Sequence, residues 1–156
     1  MVNHAGGISF VAFVVAVAVS IGYYQAVYVP QVNAKPILPK EVLEPAQTTK
    51  IKITEGSSNQ GNGKFFDPKE GRAVYGLSNK VSWHNNDSVP HTVTSDSDYV
   101  DKISGDFNSL KHPEGGGFVL PNTDFTFVFT KIGDYSYHCE PHPWMQGKIS
   151  VVENFA

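Results

Sequence analysis

The segment GDYSYHCEPHPWMQGKI, Gly133 to Ile149, holds the chain's single cysteine, Cys139, beside His138, His142 and Met145. A lone cysteine excludes an intramolecular disulfide, so the thiol is a passive core group, a nucleophile or a metal ligand. Side chains alternate along a strand: Tyr135, Tyr137 and Cys139 share one face, and His138 points to the other, away from any metal that Cys139 holds. Pro141 and Pro143 cannot donate to a ladder, which predicts a strand end at Cys139. His142 and Met145 then follow on a short loop at the spacing Cys-x2-His-x2-Met. A fourth group has to come from elsewhere, and His91 in SVPHTVT, preceded by Pro90, is the best candidate.

Two imidazoles, one thiolate and a weak thioether form the ligand set of a type 1 (blue) copper site. Zinc seldom takes a thioether. A catalytic thiol needs a base and an open substrate position, whereas two prolines and a methionine argue for a closed, rigid site. Rigidity suits copper, because electron transfer is fast when both oxidation states share nearly one geometry. An inert core cysteine is the plain alternative, and the joint spacing of Cys139, His142 and Met145 weighs against it.

Short strands are expected to position these groups. KIKIT puts Ile51 and Ile53 on one face, KVSWHN does the same for Val81 and Trp83 with His84 opposite, DFTFVFT aligns Phe125, Phe127 and Phe129, and KISVV closes with Ile149 and Val151. Turn-rich stretches separate them, and EGSSNQGNGKFFDPKEG is read as a loop returning Phe65 and Phe66 to the core. The pattern predicts an all-β sandwich. The net charge of −3 carries no basic stripe, which excludes a nucleic-acid partner.

GDYSYHCEPHPWMQGKISVVE resembles the C-terminal copper loop of cupredoxins of the plastocyanin and amicyanin group, with the short spacing nearest amicyanin. KVSWHNNDSVPHTV resembles the strand and loop that supply the first histidine in that family. The likeness covers about Val74 to Glu153. It implies a Greek-key β-sandwich with His91, Cys139, His142 and Met145 around one copper, a carrier of electrons and not an enzyme. Thr92 departs from the family's common Asn, which leaves open how the two loops are tied together. Glu140 adds a carboxylate beside the thiol. The resemblance also makes His142 the ligand that reaches the surface, through an apolar patch of Val89, Pro90, Pro141, Pro143 and Trp144 where electrons leave; the plain reading has Trp144 as an internal lid.

Other polar groups have plainer readings. His4, His84 and His112 are expected to face solvent. His138 as a second ligand would suggest a copper nitrite reductase, but the chain offers one domain of that size. Asp96, Asp98, Asp101 and Asp106 lack an EF-hand frame and are read as a solvated acidic loop that could steer a basic partner.

The N-terminus is a separate region. Ala5 to Val29 carries no charge and is long enough to cross a bilayer, with Tyr23, Tyr24 and Tyr28 at one end. Residues 1–29 are therefore read as a membrane anchor, or as a signal segment whose cleavage would give a secreted protein. Residues 30–47, with Pro30, Pro36, Pro39 and Pro45, are read as a semi-rigid spacer without stable helix, and 48–156 as the cupredoxin domain. Lys35 and Lys40 alone would put that domain in the cytoplasm. The copper chemistry argues instead for an extracytoplasmic place, periplasmic or at the cell surface. The expected function is single-electron transfer between a donor and an acceptor redox protein, with copper storage or delivery as the alternative.

Overall fold

The period-two alternation of the sequence holds in the longer strands of a computed structural model of the chain, which describes residues 4–113 and 116–155. Two compact units are present, divided between Pro36 and Ile37.

The first unit is helical: α1 (His4–Tyr23), a π-helical turn (Tyr24–Tyr28) and α2 (Val29–Asn33) follow one another directly. Its apolar run Phe10–Asn33 spans 24 residues, long enough to cross a membrane. The run passes the expected end at Val29. Pro30 lies in the first turn of α2, where its missing N–H is least costly, and the wider π turn just before it accommodates the ring.

The second unit begins with a difference from the expected spacer. Pro39 caps a single turn, α3 (Lys40–Leu43), because its fixed φ suits a helix start. Val42 is buried there, and Asn79 Nδ2 donates to its carbonyl at 2.8 Å.

Ten strands follow among the described residues: β1 (Thr48–Ile53), β2 (Phe66–Asp67), β3 (Glu70–Val74), β4 (Lys80–Asn85), β5 (Thr94–Ser95), β6 (Val100–Asp101), β7 (Gly105–Asp106), β8 (Asp124–Val128), β9 (Gly133–Cys139) and β10 (His142–Val152). One sheet runs β2-β1-β4-β8 and the other β3-β10-β9-β5, with β6 and β7 paired apart. The chain changes sheets repeatedly, as a Greek-key sandwich requires. Ile51, Ile53, Val81, Trp83, Phe125 and Phe127 from the first sheet meet Ala73, Tyr135, Tyr137, Ile149 and Val151 from the second in one core. Trp83 bridges the layers, with its ring 5.4 Å from that of Tyr137. Tyr137 in turn lies over Gly147, where an added Cβ would come within 2.5 Å of its hydroxyl.

Two more expectations change. The chain does not leave the sheet after Cys139: β10 starts at His142, which pairs with Cys139, and the register shifts between His142 and Gln146. That bulge takes Pro143 out of the ladder, where a missing N–H is harmless. Nor is the acidic loop uniformly solvated. Asp96 and Asp98 are exposed, but Asp101 is buried and accepts from Thr130 Oγ1 (2.7 Å), Thr130 N (3.0 Å), Ile103 N (2.8 Å), Ser104 N (3.2 Å) and Tyr99 Oη (3.0 Å).

Burial alone would raise the Asp101 pKa, and the hydrogen bonds from Thr130, Ile103 and Ser104 overcome it and hold the pKa below the ordinary range. The stability that this ionised carboxylate contributes is complete above the ordinary carboxylate pKa and is lost as pH falls through the lower folded value. Asp101→Asn should cost about 2 kcal/mol near neutral pH, because bonds to a charged acceptor are exchanged for weaker ones. Denaturant unfolding at several pH values checks this: the gap between parent and variant should narrow on acidification.

Candidate metal centre

Three segments converge at one end of the sandwich. The first leaves β4 through Asn85, whose buried amide staples the loop: Nδ2 donates to Val89 O and Val119 O, both at 2.9 Å, and Oδ1 accepts from Asp87 N at 2.8 Å. His91 then pairs with Val119 through N–H···O bonds of 3.1 and 2.9 Å. The second segment is the end of β9, which points Cys139 inward as the alternation predicts. The third is the bulged start of β10, carrying His142 and Met145.

His91, Cys139 and His142 bring one nitrogen or sulfur atom each to within 4.8 Å of one another. Nδ1 of His91 lies 3.6 Å from Cys139 Sγ, and Nδ1 of His142 lies 3.5 Å from it. The two imidazole centroids are 4.9 Å apart. Met145 is fully buried on the same bulge. Burial pushes the Cys139 thiol above its ordinary pKa, with the Thr92 hydrogen bonds working against that. A metal taken up here therefore displaces a proton from sulfur, and binding is weaker at low pH. Burial likewise lowers the His91 pKa, opposed by Asp87, which leaves its ring neutral and able to donate a lone pair. A soft thiol and two imidazoles fit copper.

Thr92 ties the segments together where the sequence left the matter open. Its N–H donates to Cys139 Sγ at 3.3 Å, and its hydroxyl accepts from Glu140 N at 2.8 Å. The Glu140 carboxylate accepts from Thr94 Oγ1 (3.1 Å) and Asn108 Nδ2 (3.4 Å).

The remaining histidines lie elsewhere. His138 projects from the opposite face of β9, hydrogen-bonded to Asp96. His84 pairs with Asp124 at 3.3 Å. His112 is not simply solvent-facing: its ring stands edge-on to Phe125 at 5.5 Å. The side chain of His4 lies outside the described residues.

Pro90, Pro141 and Pro143 are exposed around this end, with Val89, His142 and Trp144 half-buried. Trp144 is neither a full lid nor free: its ring stands 5.3 Å from His142, and Nε1 donates to Ser57 O at 3.1 Å. Sequence reasoning missed Leu120, which is 52% exposed and directly follows Val119, the partner of His91. Its alternation with buried Val119 was the available signal. It also missed Asp87, whose carboxylate meets His91 Nε2 at 2.9 Å.

Residues 56–152 match the profile of the copper binding proteins of the plastocyanin/azurin family. Amicyanin of Paracoccus denitrificans is 35% identical over 71 residues, 46% of this chain and 47% of that protein. The chain thus spans about half the length of that relative. Amicyanin-alpha of Methylorubrum extorquens is 30% identical over 107 residues, 69% of this chain and 74% of that one. Among solved structures, a purple cupredoxin from Nitrosopumilus maritimus superposes with a TM-score of 0.52 at 28% identity, covering 67% of this chain and 99% of its own. With its His-Cys-His cluster suited to a single copper, this chain belongs to the plastocyanin/azurin family of copper-binding proteins.

Proposed function

We propose that His91, Cys139, His142 and Met145 hold one type 1 copper and that the domain carries single electrons between a donor and an acceptor redox protein. The observation that carries this reading is the aim of both Nδ1 atoms at one buried sulfur, at 3.5 and 3.6 Å. Copper bound there supplies a one-electron couple between Cu(II) and Cu(I). The protein's part is to hold the donors still. His91 is fixed by its backbone pairing with Val119, Cys139 by the Thr92 N–H, and His142 by its pairing with Cys139. Burial of Cys139 and Met145 keeps bulk water from the sulfur atoms, which disfavours open exchange of the metal and supports a carrier over a delivery module.

His142 is the half-exposed member of the set, with Pro141 and Pro143 exposed on either side of it in the chain. Val89, Pro90, Leu120, Pro141, Pro143 and Trp144 together suit a small, transient contact through which the electron passes by way of the His142 ring. The helix Phe10–Asn33 would tether this domain to a membrane, with the domain on the extracytoplasmic side, where a thiolate–copper site avoids the reducing cytosol.

Three outcomes are expected. Cys139→Ser should abolish the intense visible charge-transfer band of the copper-loaded protein while leaving its far-ultraviolet dichroism intact; an unchanged visible spectrum would remove sulfur from the site. Pro143→Glu should keep the copper spectrum but slow electron transfer with the redox partner about tenfold in stopped-flow mixing, because it sets a charge in the contact. Equal rates at matched ionic strength would place the electron exit elsewhere. Protease added to intact cells should release the copper domain by cutting the extended residues 34–39. Release only after lysis would reverse the orientation.

A further inference from the structure

A cavity of about 340 Å³ opens beside Trp144, walled by the loop that joins β1 to β2. Phe65 and Trp144, both half-buried, give it an apolar lining. The charged groups that line it are Lys64, Lys69 and Asp67, all exposed, so its mouth carries a positive balance. Such a volume lies at the small end of the roughly 300–1,000 Å³ of ligand sites and suits one large side chain with its backbone.

The loop holds this shape by its own bonds. Thr54 N donates to Phe65 O at 2.9 Å, and Thr54 Oγ1 donates to Lys64 O at 2.7 Å. Ser57 Oγ also donates to Phe65 O at 3.1 Å, and Asn62 Nδ2 donates to Glu55 O at 2.9 Å. Asn59 Oδ1 accepts from Gly61 N at 3.0 Å and starts one tight turn, Gln60–Asn62. The chain then reverses at Gly63 with φ of 70°, where an added Cβ would meet nothing within 4 Å. Trp144 is tied to the same loop through Ser57 O. Walls fixed in this way need little further ordering when something seats between them, which favours binding.

Trp144 belongs both to this cavity and to the surroundings of His142, with its ring 5.3 Å from that imidazole. An occupant of the cavity therefore comes within one ring of the proposed electron exit. Apolar walls reward a bulky side chain, and the positive mouth rewards carboxylates beside it and penalises cations. Resting on the carrier reading above, we propose that this cavity anchors the redox partner, which seats an aromatic side chain flanked by carboxylates against Phe65 and Trp144, beside Lys64 and Lys69.

The test titrates the full-length chain, in detergent micelles and loaded with Cu(I), with the peptide acetyl-Glu-Trp-Glu-Glu-amide and two controls. One control has alanine for the tryptophan, and the other has lysine for each glutamate. In proton–nitrogen NMR the acidic tryptophan peptide should give saturable shifts at the Phe65 amide and the Trp144 indole N–H, and both controls should bind at least about fivefold more weakly. Lys64→Glu combined with Lys69→Glu should weaken the acidic peptide by about the same factor and leave the visible spectrum of the oxidised protein unchanged. A control that binds as tightly as the acidic tryptophan peptide, shifts confined to residues outside the cavity, no saturable shift, or a double variant that binds like the parent would overturn the proposal. Should the double variant fail to fold, the three peptides against the parent decide alone. A parent that takes up no copper through Cys139 overturns the carrier reading and, with it, a redox partner as the occupant, whatever the peptides do.

Discussion

Thr92 joins the two ligand-bearing regions of the chain with two hydrogen bonds, one from its N–H to Cys139 Sγ and one from Glu140 N to its hydroxyl. Forty-seven positions of sequence separate Thr92 from Cys139, so this link closes a long loop. The sandwich has already met that entropic cost, because β4, β8 and β9 are held by ladder bonds and by the shared aromatic core. Losing the bond from the Thr92 N–H to sulfur would strand a buried donor, at about 1–3 kcal/mol. The rest of the centre is arranged around this join: His91 is adjacent to Thr92 in the chain, and His142 pairs back onto Cys139.

Rigidity follows from small local devices more than from the two prolines alone. Asn85 closes the loop before His91 with three bonds from one amide. The register shift in β10 takes Pro143, Trp144 and Met145 out of the ladder after His142, and pairing resumes at Gln146, beside Gly147 pressed under Tyr137. Each device fixes the backbone next to a proposed ligand, so the donors stand close together through protein contacts alone. A site assembled in this way has little room to rearrange when the charge of a bound cation changes.

Much of this was legible in the sequence because its governing pattern is local. Alternation sorted Tyr137 and Cys139 from His138, and Trp83 from His84, and the structure keeps each on its expected side. The spacing of Cys139, His142 and Met145 pointed to one centre for the same reason. What escaped depends on distant pairings. Asp87 reads as an ordinary turn residue until the turn at Gly56 and Ser58, about thirty positions earlier, supplies its N–H groups. Asp101 looked like one acid in a solvated loop until Thr130 came to meet it. Pro143 seemed to end the strand because a one-residue rule cannot foresee a bulge that removes it from the ladder. Pro30 and Pro39 misled similarly, since each sits where a helix start tolerates proline.

The claim that the protein holds one ligand set ready for both oxidation states is tested most directly by X-ray absorption at the copper edge, on the full chain oxidised and then reduced at mildly alkaline pH. The same short sulfur neighbour and two nitrogen neighbours in both spectra, with little change in distance, is the predicted result. A reduced spectrum that has lost a nitrogen or the sulfur, or an oxidised one dominated by oxygen neighbours, would contradict it.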